Sequence, residues 1–269
     1  MNKVFKHAAN CFALSFAFLS LFPITVLLLW SISGKWNWPS ILPQSFNLRA
    51  YQYILGNGQN LLRVILLSIG LSLSVTFITV LLSIPAAKAL GVYKFKGKRL
   101  IEILILTPLI IPSITIVTGI HVFFIRLGLA DTLLGVIIIH IFPCLPYGVR
   151  MLKNVYEAIG NSYEIQARVL GASKLKTFLN VTLPILMPAI LSASSLIFVV
   201  SFSQYLLTLI IGGGKIITLA VVMFPFIQEG DHTMAGALSM VFISVSFVFL
   251  LIFEKMVKHY YKLEGHLYI

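Results

Sequence analysis

The most marked shortage in this 269-residue sequence is of charge. Charged residues make up only 10% of the chain, and Asp and Glu together number only 8. Hydrophobic residues make up 59%, and the mean hydropathy is +0.99. Soluble globular domains carry about 25% charged residues. The composition therefore excludes an ordinary soluble domain and predicts an integral membrane protein.

Cysteine is also scarce, with only Cys11 and Cys144 in the chain. Both lie in apolar runs, which predicts free, packed thiols and no disulfide. The six histidines are scattered without a His-x-x-x-His pattern, and the cysteines do not have zinc-ligand spacing. We therefore expect no metal site on this chain.

The sequence has no Gly-x-x-x-x-Gly-Lys-Ser/Thr loop, the motif that binds nucleotide phosphates. It also lacks His-Glu-x-x-His, paired-aspartate and Ser/Lys patterns within its apolar runs. We therefore expect that the chain is not an enzyme and holds no cofactor. If ATP drives its activity, ATP and Mg²⁺ must bind to a partner.

Long apolar runs dominate the sequence. A helix needs about 20 apolar residues to cross a hydrocarbon core about 30 Å thick. Six runs meet this length, approximately at residues 11–33, 62–90, 100–125, 132–152, 183–211 and 233–253. Because the connections are short, we predict an all-α membrane protein with six transmembrane helices in a single domain, residues 1–269.

The positive charges predict the orientation of these helices, because Lys and Arg near helix ends are retained on the cytoplasmic side. With the amino terminus inside, most of the 20 Lys and Arg residues fall on that side, including the group Lys94, Lys96, Lys98 and Arg99. Both termini are therefore predicted to be cytoplasmic. Topology also accounts for the net charge of +12, so no nucleic-acid partner is needed.

One predicted cytoplasmic segment, residues 161–182, is unusually polar for this chain. Asn161 followed by Glu164 has the spacing of a capping box at the start of a helix. Gly171 stands where that helix would end in a left-handed residue, and Ser173 can begin a second helix. We predict two short helices that are too short to cross a membrane.

Apolar side chains recur at helical spacing on both pieces. Ile165 and Val169 share one face, and Leu175, Phe178 and Leu179 share another. Two interpretations fit this pattern. The segment is either an amphipathic elbow on lipid head groups, helped by Lys174 and Lys176, or a helix that docks into a groove of a cytoplasmic partner.

Polar residues at membrane depth are candidates for a translocation path, since their burial in lipid is costly. The candidates are His140, Ser201, Ser203, Gln204 and Tyr205. Ser and Gln in membrane helices also hydrogen-bond to neighbouring helices without any role in transport. A path lining and a packing role are therefore both open.

The segment Tyr163–Ile190, YEIQARVLGASKLKTFLNVTLPILMPAI, resembles the EAA loop of permease subunits of ATP-binding-cassette (ABC) importers. In that family Glu-Ala-Ala is followed by three residues, a glycine and, about a dozen residues later, Leu-Pro. The resemblance extends to the six-helix layout and to the stretches LTPLIIPSITIVTGI and SFSQYLLTLIIGGG. The residues it assigns to ATPase coupling are Glu164, Ala167, Arg168, Gly171, Ala172, Ser173, Leu183 and Pro184.

The chain departs from the family pattern at one position. Counting back from Gly171, the family glutamate falls on Ile165 and the first alanine on Gln166, whereas Ala167 matches and Glu164 lies one residue early. Two roles for Glu164 are open. It either makes the contact to an ATPase arginine that the family glutamate makes, or it only caps its helix.

The resemblance implies a bacterial inner-membrane permease whose segment 161–182 is a coupling helix. The partners implied are two ATPase subunits, a second permease subunit, alike or different, an extracytoplasmic solute-binding protein and the lipid bilayer. FVVSFSQYLL and MPAI are most similar to the branch that handles polyamines, ferric ions, thiamine and phosphonates, so a small polar or charged solute is expected. The alternative is an ion-coupled secondary transporter without an ATPase, for which His140 is the candidate titratable group.

Overall fold

The computed structural model describes residues 3–36, 39–56 and 58–265, and within these ranges the side chains of all but residues 3–14, 17–18, 58–59 and 261–265. The side chain of Cys11 and the whole of Trp38 therefore lie outside the described residues. The chain packs as two compact units, and the single domain predicted from the sequence stays a prediction. The smaller unit comprises Met1–Leu62 and Val222–Ser244, and the larger unit comprises Arg63–Val221 and Val245–Ile269.

The described residues are mostly helical, as the apolar runs predict. Its elements are α1 (Lys3–Ile32), β1 (Ser33–Lys35), β2 (Ser45–Phe46), α2 (Arg49–Gly56), α3 (Gly58–Val92), α4 (Lys98–Ile110), α5 (Ser113–Arg126), α6 (Leu133–Ile159), α7 (Ser162–Val169), α8 (Lys174–Thr177), a π-helical turn (Phe178–Thr182), α9 (Leu183–Phe202), α10 (Leu206–Gly212), α11 (Leu219–Gln228) and α12 (His232–Gly265). The two short strands pair antiparallel.

Within the described residues, four helical stretches are long and apolar enough to cross a membrane: Asn60–Val92, Leu133–Ile159, Lys174–Phe202 and His232–Tyr260. They coincide with four of the six predicted crossings. A fifth is counted if α4 and α5 form one bent span. Six crossings and cytoplasmic termini stay predictions.

The predicted third crossing, residues 100–125, is not a straight helix. It consists of α4 and α5, whose axes differ by 104°. Pro112 explains the break, because the residue before a proline is disfavoured in the α conformation and proline lacks an N–H. Accordingly, Ile111 is extended, with φ −84° and ψ 130°. The prolines Pro143 and Pro146, in contrast, lie inside the uninterrupted helix α6.

The predicted fifth crossing, residues 183–211, is also interrupted. Helix α9 ends at Phe202, and α10 begins at Leu206, so that Ser203, Gln204 and Tyr205 lie in the break. No proline or glycine stands there. Within the break, Ser203 Oγ donates a hydrogen bond to the carbonyl of Val200 at 3.0 Å.

The core of the larger unit is formed by α3, α5, α6, α9 and α10. Its fully buried residues include Val75, Val117, Val136, Cys144 and Ile197. Helices α3 and α6 approach so closely that a Cβ at Gly148 would lie 2.3 Å from Ser83 Oγ. Small residues at a helix crossing permit this kind of approach in membrane proteins.

The smaller unit joins the β1–β2 hairpin and α2 to the end of α1 and the start of α12. Arg49 forms an ion pair with Asp231 at 2.6 Å. The rings of Trp30 and His232 stack with their centroids 4.7 Å apart. Tyr51 donates a hydrogen bond to Ser31 Oγ at 2.9 Å.

Candidate functional site

The first part of the site is the polar segment 161–182, and its local structure follows the sequence at two positions. Gly171 has φ +87° and follows the end of α7. Ser173 begins α8, and its side chain accepts a hydrogen bond from the N–H of Lys176. Both predictions, of a left-handed Gly171 and of a helix start at Ser173, are confirmed.

The capping box predicted at the start of α7 does not form. Asn161 occupies the N-cap position, but its side chain makes no capping hydrogen bond. The carboxylate of Glu164 accepts hydrogen bonds from Lys88 Nζ at 2.8 and 2.6 Å and from Thr182 Oγ1 at 2.8 Å. Hydrogen bonds to an ammonium group are stronger than a neutral capping bond, so the tertiary partner prevails.

Glu164 is thereby the point at which three elements meet. It lies on α7, Lys88 lies near the end of α3, and Thr182 ends the π-helical turn before α9. Two roles were left open for Glu164, and the prediction that it only caps its helix is therefore wrong. In this arrangement both carboxylate oxygens are engaged within the chain.

The electrostatics of this contact favour an ionised carboxylate. Burial raises the pKa of Glu164, but the hydrogen bonds from Lys88 and Thr182 and the charges of Lys88 and Arg168 outweigh burial. The net pKa of Glu164 lies below its ordinary value. The ion pair is therefore fully formed at neutral pH.

Lys88 and Thr182 are functional candidates that the sequence reading did not single out. Lys88 is the one charged residue near the carboxyl-terminal end of the predicted apolar run 62–90. A lone cation at that position predicts an acidic partner or a lipid phosphate. That signal was present, but the sequence alone does not identify Glu164 as its partner.

The second helical piece is not a separate short helix. Four residues of α8 continue through the π-helical turn directly into α9, in which Leu183 and Pro184 are the first two residues. In the turn the N–H of Leu183 reaches the carbonyl of Phe178, five residues back. Pro184 favours this wider turn because it has no N–H for the carbonyl four residues before it.

Pro188 has a similar effect one turn later. It cannot donate to the carbonyl of Pro184, which instead accepts a hydrogen bond from the Tyr260 hydroxyl at 2.8 Å. Leu186, between the two prolines, is fully buried against Leu152 and Tyr156 of α6. The segment is therefore anchored in the core at the point where it enters α9.

The outer side of the segment presents apolar side chains. We call the following residues, which are 48% to 87% exposed, the docking surface: Tyr163, Ile165, Val169, Leu170, Leu175 and Leu179. Arg168 and Ser173 are exposed beside it, whereas Ala167 and Ala172 are half-buried. Phe178, predicted on the same face as Leu175 and Leu179, is half-buried and points inward to line a polar cavity.

The second part of the site is the group of polar residues predicted at membrane depth. His140 has no exposed surface and links both halves of the interrupted helix. Its Nδ1 lies 3.1 Å from Ser201 Oγ in α9, and its Nε2 lies 2.9 Å from Thr208 Oγ1 in α10. Thr208, which the sequence reading missed, completes this contact.

The hydrogen bonds define the tautomer of His140. Thr208 Oγ1 donates its proton to the carbonyl of Gln204 at 2.8 Å, so it can only accept from the histidine. Nε2 therefore carries the proton, and Nδ1 accepts from Ser201. A neutral imidazole satisfies both hydroxyl groups in this arrangement.

The five residues predicted for a translocation path thus separate into two groups. His140 and Ser201 are buried and bonded to each other, whereas Ser203 is exposed and Gln204 and Tyr205 are half-buried in the helix break. Among residues whose side chains the structure describes, no group of three or more His, Cys, Asp or Glu could hold a metal ion.

Comparison with known proteins agrees with this architecture. Residues 79–260 match the family model described as "Binding-protein-dependent transport system inner membrane component". The chain is 27% identical over 238 residues to a putative 2-aminoethylphosphonate transport system permease protein, PhnV, of Salmonella typhimurium, with 88% of each chain covered. It is 32% identical over 173 residues to GgtD, an osmoprotective compounds uptake permease protein of Synechocystis.

The extent of these matches differs. The alignment with GgtD covers 62% of this chain and 58% of GgtD, and an alignment with the sulfate transport system permease protein CysT of Salmonella typhimurium covers 59% and 62%. The chain thus spans less than two thirds of the length of these two relatives.

Solved structures share the fold. A chain of a bacterial ABC transporter involved in the import of alginate superimposes with a TM-score of 0.71 at 21% identity, with 96% of each chain covered. A chain of the inward-facing MetNI methionine ABC transporter gives a TM-score of 0.62 at 15% identity, covering 74% of this chain and 95% of that one. The family model covers well over half of the sequence, and the chain therefore belongs to the binding-protein-dependent transport system inner membrane components, the permease subunits of ABC transporters.

Proposed function

We propose that this chain is the membrane subunit of an ATP-driven importer and that segment 161–182 couples it to a cytoplasmic ATPase. The observation that carries the proposal is the contact of Glu164 with Lys88 and Thr182. It ties the docking surface to the ends of two long apolar helices, α3 and α9. A force applied to the docking surface is therefore transmitted to two helices at once.

The docking surface supports a protein partner over a purely lipid contact. Val169 and Leu170 are the most exposed apolar residues of the segment, at 80% and 87%, and lie next to the exposed cation Arg168. Apolar anchors beside a charge suit a groove on a protein. We place the surface against an ATPase subunit on the cytoplasmic side, where ATP and Mg²⁺ bind and are hydrolysed.

The remaining subunits follow from the family. We propose two ATPase subunits, a second permease subunit, and a solute-binding protein that delivers the solute from the other side of the membrane. Alternating access requires that the inward-open and outward-open states differ in their contacts with the ATP-bound ATPase. The chain itself contributes the path and the coupling, and no catalytic step.

We assign the solute path to the helix break at Ser203, Gln204 and Tyr205. An interrupted membrane helix exposes backbone groups that regular helices use internally, and such breaks are tolerated where they line a cavity or are buried in protein. The solute is a small polar or charged compound. Relatives are named for sulfate, 2-aminoethylphosphonate and osmoprotective compounds, which leaves the particular solute to experiment.

The ion-coupled alternative has little support in the geometry. His140, on which it depends, has no exposed surface, and both of its ring nitrogens are engaged by hydroxyl groups. A proton carrier must be reached from each side of the membrane in turn. We assign His140 to holding α9 and α10 against α6.

Copurification tests the proposal. The tagged chain is extracted from its native membrane in mild detergent, and the copurifying proteins are identified by mass spectrometry. We expect an ATPase that carries a phosphate-binding loop and a second permease. A copurifying binding protein is then screened for its ligand, and that ligand is used in uptake assays.

Matched variants make the test specific to the docking surface. Leu170→Asp should abolish recovery of the ATPase, whereas Leu55→Asp, at a similarly exposed leucine in the smaller unit, should retain it. Recovery of the ATPase with both variants would assign the segment to the lipid surface. Recovery of the chain alone, active in uptake driven by an ion gradient, would overturn the importer.

A further inference from the structure

A groove of about 280 Å³ lies between α4 and α6, beside the end of α3. Part of its lining is apolar and consists of Leu90, Ile105, Leu106, Pro146 and Val149. The rest is polar and consists of Glu102, Arg150, Lys153 and Asn154. Residues of both kinds keep accessible surface, since Ile105 and Leu106 are half-buried and Arg150 and Asn154 are exposed. A ligand in the groove can therefore contact both.

The groove crosses the level at which charged residues give way to apolar ones. On α6 the stretch from Leu133 to Val149 contains no Asp, Glu, Lys or Arg, and Arg150 is the first charged residue. On α4 Glu102 is the last charged residue. Lys153 binds Glu102 at 2.8 Å, so this boundary falls at the same level on both helices. Charged side chains of membrane helices lie close to the lipid head groups, and the groove therefore lies at the depth of lipid phosphates.

Arg150 is the cation in the groove that is available to an anion. Lys153 is engaged by Glu102 at 2.8 Å and by Glu157 at 3.4 Å. Arg150, in contrast, forms no ion pair with any residue whose side chain the structure describes. The side-chain amide of Asn154 is exposed one helical turn further along α6. These two side chains can donate hydrogen bonds to one anionic group.

Helix α4 leaves its side of the groove uncovered. No residue of α4 is buried, although most of its side chains are apolar. A polar solute in the groove would leave Ile105 and Leu106 without an apolar partner. An apolar helix of another subunit would cover them but would leave Arg150 without an anion, which is costly next to hydrocarbon. A phospholipid satisfies both requirements, because it joins a phosphate to acyl chains.

We propose that this groove binds one phospholipid, with its phosphate at Arg150 and Asn154 and the start of an acyl chain against Ile105 and Leu106. Arginine forms strong, charge-assisted hydrogen bonds to phosphate oxygens, and basic pockets between membrane helices bind lipid head groups. The bound lipid joins α4, the first half of the bent span, to α6. This inference goes beyond the proposed function and does not depend on it.

The test measures lipid binding to the full chain, purified in a maltoside detergent that carries no phosphate. Dioctanoylphosphatidylglycerol is added, and native mass spectrometry counts the lipids bound to each chain. We expect saturation at one tightly bound lipid. Dioctanoylglycerol has the chains without the phosphate, and glycerol phosphate has the phosphate without the chains. Each should bind about 10-fold more weakly or less well still, and equal binding of either one would overturn the proposal.

Two matched pairs of variants assign the bound lipid to the groove. Arg150→Gln should weaken binding about 10-fold, because it removes a charge-assisted hydrogen bond. Arg99→Gln, at an exposed arginine in the first turn of α4 that does not line the groove, should leave binding unchanged. Leu106→Trp fills the apolar part and should prevent binding, whereas Leu104→Trp, on the same helix but outside the groove, should not.

The unfolding temperature of each lipid-free variant shows whether a loss of binding reflects a loss of fold. Arg150→Gln replaces an exposed side chain without a described ion pair, so this variant should unfold at the temperature of the parent chain. Binding by Arg150→Gln and Leu106→Trp equal to that of the parent would contradict a lipid site in the groove.

The same titration on the chain bound to its copurifying subunits decides whether a protein covers the groove instead. A lipid that stays bound in the complex, and is lost in Leu106→Trp, supports the site. A lipid that is displaced on assembly would assign the groove to a subunit interface and would overturn the proposal. Neither result depends on ATP or on the transported solute, so the outcome is separate from that of the proposed function.

Discussion

Lys88 and Glu164 are 76 residues apart in the chain, yet the lysine ammonium contacts both oxygens of the glutamate carboxylate, at 2.8 and 2.6 Å. The contact joins the end of a long apolar helix to the polar segment that follows α6. Both side chains are mostly buried. The pair is therefore a structural link between α3 and segment 161–182.

Removing one member of this pair should uncouple the protein. Lys88→Met leaves a mostly buried carboxylate without its cation and should reduce stability by about 2 kcal/mol. We expect reduced ATP-dependent uptake in membrane vesicles, with the ATPase still recovered on purification. The double variant Lys88→Glu with Glu164→Lys should recover much of the uptake. A double variant no better than either single one would contradict a direct link between the two residues.

The same pair makes stability depend on pH. The pKa of Glu164 in the folded protein is below its ordinary value. The contribution of its ionised carboxylate to the free energy of unfolding is therefore complete at pH values above its pKa in the unfolded state. That contribution is lost as the pH falls through the folded-state pKa. The unfolding temperature of the parent chain should therefore exceed that of Glu164→Gln at pH 7. The difference should shrink below about pH 4, and a constant difference between pH 7 and pH 3 would disprove it.

Gly171 should tolerate few replacements. Its φ of +87° is unfavourable for residues with a Cβ, although a Cβ there would meet no atom within 4 Å. Gly171→Val should therefore cost about 1–2 kcal/mol in backbone strain alone and reduce ATP-dependent uptake. Gly171→Asn should be milder, because asparagine accepts the left-handed conformation more readily.

Gly70 provides a matched control for this prediction. It lies in α3, where an added Cβ would likewise meet no atom within 4 Å, but its φ is not positive. Gly70→Ala should leave uptake unchanged. If Gly171→Val also transported normally, the left-handed turn between α7 and α8 would have no part in coupling.

The two groups of polar residues should differ in their mutant phenotypes. His140→Leu leaves Ser201 and Thr208 without their histidine partner and should lower the free energy of unfolding by about 2 kcal/mol. Replacing both Ser203 and Gln204 by alanine should alter uptake while the unfolding temperature and the recovery of the ATPase stay near those of the parent. Unaltered uptake by this double variant would exclude the helix break from the path.

Local signals in the sequence predicted local structure well. The long apolar runs, the left-handed Gly171 and the helix start at Ser173 depend on a few neighbouring residues. The predicted capping box does not form because a residue distant in the sequence intervenes: Lys88, 76 residues away, binds the carboxylate of Glu164. The direction of a charged side chain depends on partners that sequence spacing does not show.

The helix breaks show the same limit. Pro112 marks the bend between α4 and α5, but the 104° angle depends on packing. The break at residues 203–205 contains no proline or glycine from which it could be predicted. His140 holds the two ends from a different helix, so this break is a property of the tertiary structure. The pattern of apolar residues in segment 161–182 left both a lipid and a protein contact open, and the proposed coupling role rests in addition on the family resemblance.

The wide turn at Phe178–Thr182 sets the azimuth of the docking surface about the axis of α9. Each residue in an α-helix advances the rotation about the helix axis by about 100°. The additional residue in the turn therefore rotates the preceding residues of the segment by roughly that angle relative to α9. A deletion of one residue within the turn would leave a regular helix of almost the same length. Leu175 and Leu179 would then face another direction, so the phase of this helix, more than its length, determines which way the docking surface faces.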